Sequence, residues 1–119
     1  MKKTRIAYIT LGCKLNYAET STYERAFAAA GLETVPWSGG KADVYLVNSC
    51  SVTSHADQQC RGVIRKLHRL SPGAMIVVTG CYAQLKREEV AALEGVGLVF
   101  GAAEKHLLVP SVLRALGHE

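Results

Sequence analysis

At 119 residues, with 49% hydrophobic and 20% charged side chains, the chain is long enough for one hydrophobic core and too short for two. Four cysteines are too few for a disulfide-built scaffold; no apolar run approaches the ~20 residues of a membrane span, and the run after the basic start MKKTR is about six residues, short of a secretory signal. A net charge of +4 and a pI near 9.0 allow a polyanionic partner without requiring one, and the expectation is a soluble, cytoplasmic protein with reduced thiols.

Strand and helix signals alternate from end to end with no linker-like stretch, which implies βαβ units around a parallel sheet. A first strand is predicted at Arg5–Thr10 and a first helix at Tyr17–Ala30, where Tyr23, Ala26, Phe27 and Ala30 share one face and Gly31 closes the end. Asn16 and Glu19 have the spacing of an N-cap and the third helical position. A short second strand, Glu33–Val35, precedes a third, Val44–Asn48, which is apolar on both faces like a central parallel strand.

The second helix covers Ser54–Leu70: Ser54-His55-Ala56-Asp57 fits a capping start, and Cys60, Ile64 and Leu67, flanked by Val63 and Leu70, form its apolar face. Ser71-Pro72-Gly73 then turns the chain. A fourth strand at Met75–Thr79, a third helix at about Lys86–Leu93 and a fifth strand at Leu98–Phe100 follow, and a last helix starts near Pro110, a residue suited to a first helical turn. Five strands and four helices with right-handed crossovers predict an α/β fold: one doubly wound, mainly parallel five-stranded sheet, order 2-1-3-4-5, helices on both faces.

Three of the strands finish in the same way, ITLGC at Cys13, LVNSC at Cys50 and IVVTGC at Cys81. Parallel strands end on one edge, and the order 2-1-3-4-5 makes strands one, three and four neighbours about 4.8 Å apart. Cys13, Cys50 and Cys81 should therefore meet above the carboxyl edge, at the topological switch point where such folds bind ligands. Thiolates select iron–sulfur clusters, zinc or copper(I), and three of them leave one metal position open. A lone cysteine is often a small core residue, but core packing gives no reason to choose the same solvent-facing edge three times.

Cys60 lies on the apolar face of helix two and reads as core, with a fourth ligand as the rival. His55 is placed in an exposed first helical turn, against the alternative of completing a Cys3His zinc site. Asn16 and Glu19 are read as a helix cap, with near-site polar groups as the alternative. Arg61, Arg65, His68 and Arg69 form a basic stripe opposite the apolar face, either solvated or in contact with RNA phosphate or an adjoining domain.

The segments TLGCKLNYAET, ADVYLVNSCSVTSHAD, IRKLHRL, VVTGCYAQ and GLVFGAAEK resemble, in order and over nearly the whole chain, the N-terminal domain of the radical-SAM methylthiotransferases. Lys14, the SVTSHAD after Cys50 and Tyr82 are most similar to the branch that modifies threonylcarbamoyladenosine in tRNA, at the adenosine next to the anticodon. Relatives acting on isopentenyladenosine in tRNA or on a ribosomal-protein aspartate are less similar.

The resemblance implies an auxiliary 4Fe-4S cluster held by Cys13, Cys50 and Cys81, with an open iron presenting the sulfur that is inserted into a C–H bond and then methylated. It also implies a second cluster, in a separate barrel, that cleaves S-adenosylmethionine. The C-x-x-x-C-x-x-C motif of that barrel does not occur here, nor does the RNA-binding TRAM module. The chain is therefore expected to be one domain, residues 1–119, of a longer enzyme: monomeric by itself, able to bind a cluster, unable to turn over, and reaching tRNA only alongside the radical-SAM and TRAM domains. A zinc-holding interaction module and a flavodoxin-like nucleotide or flavin domain are the competing readings. The second of these lacks a phosphate loop, since LGCKLN offers few of the Gly, Ser or Thr residues it needs.

Overall fold

The computed structural model describes residues 4–12, 14–39, 42–49 and 54–117, without the side chains of Lys14, Leu15 and Ala102. Strands β1 (Arg5–Thr10), β2 (Glu33–Thr34), β3 (Val44–Ser49), β4 (Met75–Gly80) and β5 (Val96–Phe100) form one parallel sheet in the order β2-β1-β3-β4-β5. Around it lie α1 (Lys14–Ala29), α2 (Ser54–Leu70), α3 (Cys81–Leu85), α4 (Arg87–Ala91) and α5 (Lys105–Ala115).

The two-residue period of the strands divides the core into two layers. Ala7, Ile9, Tyr45, Val47, Ile76 and Val78 face one side and pack with Cys60, Ile64 and Leu67 of α2, together with Tyr82, Ala83 and Val90. Ile6, Val44, Leu46, Val77 and Phe100 face the other, against Tyr23 and Phe27 of α1 and Leu108 and Val112 of α5. All six residues of β3 are buried, because it has a strand on each side and helices on both faces. Each fully buried large aliphatic side chain contributes roughly 1.5–3 kcal/mol, so the sheet centre is the stable platform on which the strand ends are carried.

Helix α1 ends as its sequence predicts. Gly31, at φ 97°, donates from its N–H to the Ala28 carbonyl at 3.0 Å, and the Leu32 N–H donates to the Phe27 carbonyl at 3.0 Å, the paired bonds of a Schellman ending. Its start differs: it begins at Lys14, so Asn16 lies in the first turn and is not the cap.

Two helices depart further from expectation. The helix predicted over Lys86–Leu93 is the shorter α4, Arg87–Ala91, and a further helix that was not predicted, α3, starts directly at Cys81 and is broken from α4 at Lys86, φ −133°, ψ 50°. The last helix starts at Lys105, and Pro110 lies inside it. Its lead-in is set by Gly101 and Glu104: the Gly101 N–H donates to Glu104 Oε1 at 3.1 Å, and the Glu104 N–H donates to the Gly101 carbonyl at 3.0 Å. Pro110 removes a donor from the next turn, but it and His106, whose carbonyl loses that partner, are both exposed to water.

Candidate functional site: the carboxyl edge of β1, β3 and β4

The three strand ends lie in step. Thr10 is the register partner of Asn48, Asn48 of Thr79, and Ser49 of Gly80. The Leu11 N–H donates to the Asn48 carbonyl at 2.9 Å, which extends the β1–β3 pairing one residue before Gly12 turns the chain at φ 99°. Cys81 opens α3 with an exposed thiol that is not in a disulfide. Cys13 and Cys50 lie outside the described residues. Among the described residues no three His, Cys, Asp or Glu side chains form a metal-holding group.

The turn into α3 requires glycine. Gly80 has φ 98° and ψ −166°, a region closed to residues with a Cβ. A Cβ there would lie 2.3 Å from the Ser49 carbonyl oxygen and 2.8 Å from Asn48 Oδ1. The backbone at the Cys81 end of β4 is thus pressed against the end of β3, and that contact sets where the thiol stands.

Buried polar side chains tie the loops to this rim. Asn16 Nδ2 donates to the Leu11 carbonyl at 2.7 Å and to the Ser49 carbonyl at 3.1 Å. Asn48 Nδ2 donates to the Asn16 carbonyl at 3.0 Å and to Thr20 Oγ1 at 3.3 Å. Ser49 Oγ donates to the Thr79 carbonyl at 2.6 Å and accepts from the Ala83 N–H at 3.4 Å. Asn48 Oδ1 is buried with no hydrogen-bond partner among the described residues. Asn16 therefore clamps the ends of β1 and β3 from inside α1, which corrects the capping role. Sequence reasoning missed Asn48 and Ser49; the available signal was a polar pair at the end of an otherwise apolar central strand.

On the other side of Cys81, Tyr82 is fully buried. Its hydroxyl bonds the Glu89 carboxylate and accepts from Arg61 Nη1 at 3.1 Å, and Arg61 also meets Glu89 at 3.4 Å. Lys86 reaches the buried Asp57 carboxylate at 3.1 Å. Burial, then the bond to Glu89, keeps the Tyr82 hydroxyl protonated above its ordinary range, with Arg61 opposing. These contacts lock α3 and α4 onto α2.

The basic stripe is accordingly divided. Arg61 is engaged by Tyr82 and Glu89, His68 pairs with Glu94 at 3.3 Å, and Arg65 and Arg69 are exposed. Cys60 is fully buried in the core, and His55 is exposed in the first turn of α2.

A hollow of about 260 Å³ opens beside the thiol, lined by Asn16, Glu19, Gly80, Cys81, Gln84, Leu85 and Lys105. Glu19 and Lys105 form an ion pair across it. A larger one, about 470 Å³, lies along β1 between α1 and Trp37 and has no cysteine in its lining.

Comparison with known proteins gives the family to which this fold belongs. The model of "Uncharacterized protein family UPF0004" matches residues 5–101, and the chain belongs to this family, the N-terminal domain of the methylthiotransferases. It is 40% identical over 104 residues to the threonylcarbamoyladenosine tRNA methylthiotransferase MtaB of Bacillus subtilis, covering 87% of this chain and 23% of that protein. It is 33% identical over 97 residues to the ribosomal protein uS12 methylthiotransferase RimO of Chloroflexus aurantiacus, covering 81% and 21%. It is 34% identical over 113 residues to the tRNA-2-methylthio-N(6)-dimethylallyladenosine synthase of Akkermansia muciniphila, covering 89% and 24%. The chain thus spans about a quarter of the length of these curated relatives. A crystal structure described as a pilus assembly-related protein of Burkholderia pseudomallei superposes with a TM-score of 0.65 at 18% identity, covering 97% of this chain and 90% of that one; this likeness concerns the fold alone. Among the described residues, no helix is long and apolar enough to cross a membrane.

Proposed function

We propose that this chain holds a 4Fe-4S cluster through Cys13, Cys50 and Cys81 and is the sulfur-presenting domain of a methylthiotransferase acting on threonylcarbamoyladenosine in tRNA. The observation that carries the reading is the pairing of Ser49 with Gly80, the residues directly before Cys50 and Cys81. Consecutive Cα atoms are about 3.8 Å apart and paired strands about 4.8 Å apart, so thiols at the two following positions are within reach of one metal centre. Cys13 follows the turn at Gly12, one residue beyond the Leu11–Asn48 bond.

The donor set fits the group: three thiolates are soft ligands suited to iron–sulfur chemistry, and the Cys81 thiol stands free and exposed at a rigid turn. When bound, such a cluster supplies an iron with a position open to a sulfur ligand. The chain's own residues supply the thiolates, a rim held by Asn16, Asn48 and Ser49, and an apolar wall at Leu85. Cleavage of S-adenosylmethionine and most of the tRNA binding fall to radical-SAM and TRAM domains in cis, and the 119-residue chain alone does not turn over. Arg65 and Arg69 are free to meet tRNA phosphate or an adjoining domain, whereas Arg61 is engaged within the fold.

Threonylcarbamoyladenosine is favoured over isopentenyladenosine and the ribosomal-protein aspartate because relatives named for it reach 39–40% identity, against 34% and 33% for the relatives named for the other two. Anaerobic reconstitution tests the cluster: about four irons and four sulfides per chain are expected, lost when Cys13, Cys50 or Cys81 is replaced by Ala. One tightly held zinc per chain after purification without oxygen decides instead for an interaction module. For the substrate, nucleoside mass spectrometry on cells lacking the gene should show loss of the methylthio group from threonylcarbamoyladenosine. Loss from isopentenyladenosine, or from the ribosomal protein, sinks that assignment.

A further inference from the structure

Strand β1 outruns the strand beside it. β2 pairs with it only where Arg5 meets Glu33 and Ile6 meets Thr34, and the ladder ends at the bond from the Val35 N–H to the Ile6 carbonyl, 3.0 Å. The chain then leaves through Pro36 into the short turn Trp37–Gly39. In a parallel ladder the bonding side alternates along the strand. Arg5 accepts from the Asp43 N–H and Leu11 donates to the Asn48 carbonyl, so the odd residues of β1 bond β3 and the even ones face outward. The backbone N–H and C=O groups of Tyr8 and Thr10 therefore point past the end of β2, without a hydrogen-bond partner among the described residues.

Folded proteins often blunt such an edge with charge. At the opposite edge of this sheet Arg87 Nη2 does so, donating to the Val99 carbonyl of β5 at 3.1 Å. Beside Tyr8 and Thr10 lies instead the hollow of about 470 Å³, walled by Tyr17, Thr20 and Glu24 of α1 and by Trp37. Both walls are steadied: Thr10 Oγ1 donates to Thr20 Oγ1 at 2.8 Å, and Lys66 Nζ lies 5.4 Å from the centre of the Trp37 ring. Glu24 is the single charged side chain in the lining, and it has no ion-pair partner among the described residues.

We propose that this slot binds an extended basic segment of a partner protein, laid beside Tyr8 and Thr10 as an added parallel strand with a Lys or Arg side chain on Glu24. Backbone donors and acceptors at strand spacing are what a peptide main chain satisfies, and the flanking side chains select its residues. The free edge is about 10 Å long at roughly 3.3 Å per residue, enough for a short strand. A second copy of this chain is the poorer occupant, since joining two copies at this edge brings two grooves of like charge together. No cysteine lines the hollow, so the inference does not rest on the cluster reading.

The isotope-labelled 119-residue chain is titrated with acetylated, amidated pentapeptides and followed by amide NMR. The probes are Thr-Val-Lys-Val-Thr, Thr-Val-Glu-Val-Thr, and the lysine peptide with both valine nitrogens methylated. When the lysine faces α1, the valine backbone groups face β1. The Tyr8 and Thr10 amides should move downfield and exchange more slowly as the lysine peptide binds. Methylation should weaken binding about tenfold or more, and the glutamate peptide should bind about threefold or more weakly than the lysine one. Glu24→Gln should keep the Tyr8 and Thr10 shifts but lose the preference for lysine. Equal binding of the methylated peptide, or Tyr8 and Thr10 amides unmoved by any probe at about 5 mM, overturns the proposal. So does concentration-dependent dimerisation of the peptide-free chain through the same two amides, which assigns the edge to a second copy.

Discussion

Replacing Gly80 by Ala tests most directly how the rim is built. The new Cβ meets the Ser49 carbonyl oxygen at 2.3 Å and the Ser49 nitrogen at 2.7 Å, backbone atoms of a paired strand that can move only by opening the end of the β3–β4 ladder. Two costs combine: holding a non-glycine residue at φ 98°, ψ −166°, about 1–3 kcal/mol, and relieving the overlap, about 1–3 kcal/mol more. A loss of about 2–6 kcal/mol is therefore expected, from a domain whose total stability is on the order of 5–15 kcal/mol. Urea unfolding followed by the fluorescence of Trp37, the single tryptophan, should show a midpoint lowered by about 2 M at an ordinary slope of roughly 2 kcal/mol per M. Gly31→Ala is the control: Gly31 has nearly the same φ, 97°, but open space where its Cβ would stand, so about 1–2 kcal/mol of backbone strain is expected alone. If Gly80→Ala costs no more than Gly31→Ala, the close contact between Gly80 and β3 is not what fixes the turn, and the argument for a rigid Cys81 position fails.

Tyr82→Phe should cost about 1–2 kcal/mol in the same assay, a bond to charged groups; the effect stays limited because Arg61 and Glu89 still meet at 3.4 Å, and a neutral result would show that the hydroxyl does not secure α4. Gly62→Ala should stabilise, since Gly62 is exposed within α2 with nothing near its would-be Cβ; about 1 kcal/mol, or roughly 3–5 °C in Tm, follows from helix propensity. Alkaline pH should weaken the fold. Tyr8, Tyr23 and Tyr82 all have pKa values raised above 10.0, chiefly by burial, so above about pH 10 the folded state binds more protons than the unfolded one and stability falls as pH rises. Urea midpoints that hold steady from about pH 8 to pH 11 would show that these hydroxyls ionise in place.

The legibility of this fold varied with how local its signals were. Helix α2 has the bounds that its own periodicity predicts, Ser54–Leu70, because one apolar stripe and flanking turns specify it within the segment. The strand order follows from alternation and crossover handedness, which are properties of any such chain. Pro110 misled: a proline suits a first helical turn, but the Gly101–Glu104 pair starts the lead-in earlier, and solvent exposure makes an interior proline tolerable. The Asn-x-x-Glu spacing of Asn16 and Glu19 looked like a local cap, yet Asn16 bonds across to Ser49 and Glu19 to Lys105. Spacing within a helix carries no information about partners 33 or 86 residues away.

By itself the sequence determined the class of fold, the common edge on which β1, β3 and β4 end, and the family, because strand periodicity and motif order are written along the chain. Only the tertiary structure decided that Gly80 is pressed against Ser49, that Arg61 is tied to Tyr82 and that Lys105 stands beside Cys81. Those facts depend on which remote atoms the packed sheet brings within a few ångströms, and a one-dimensional pattern does not encode such distances.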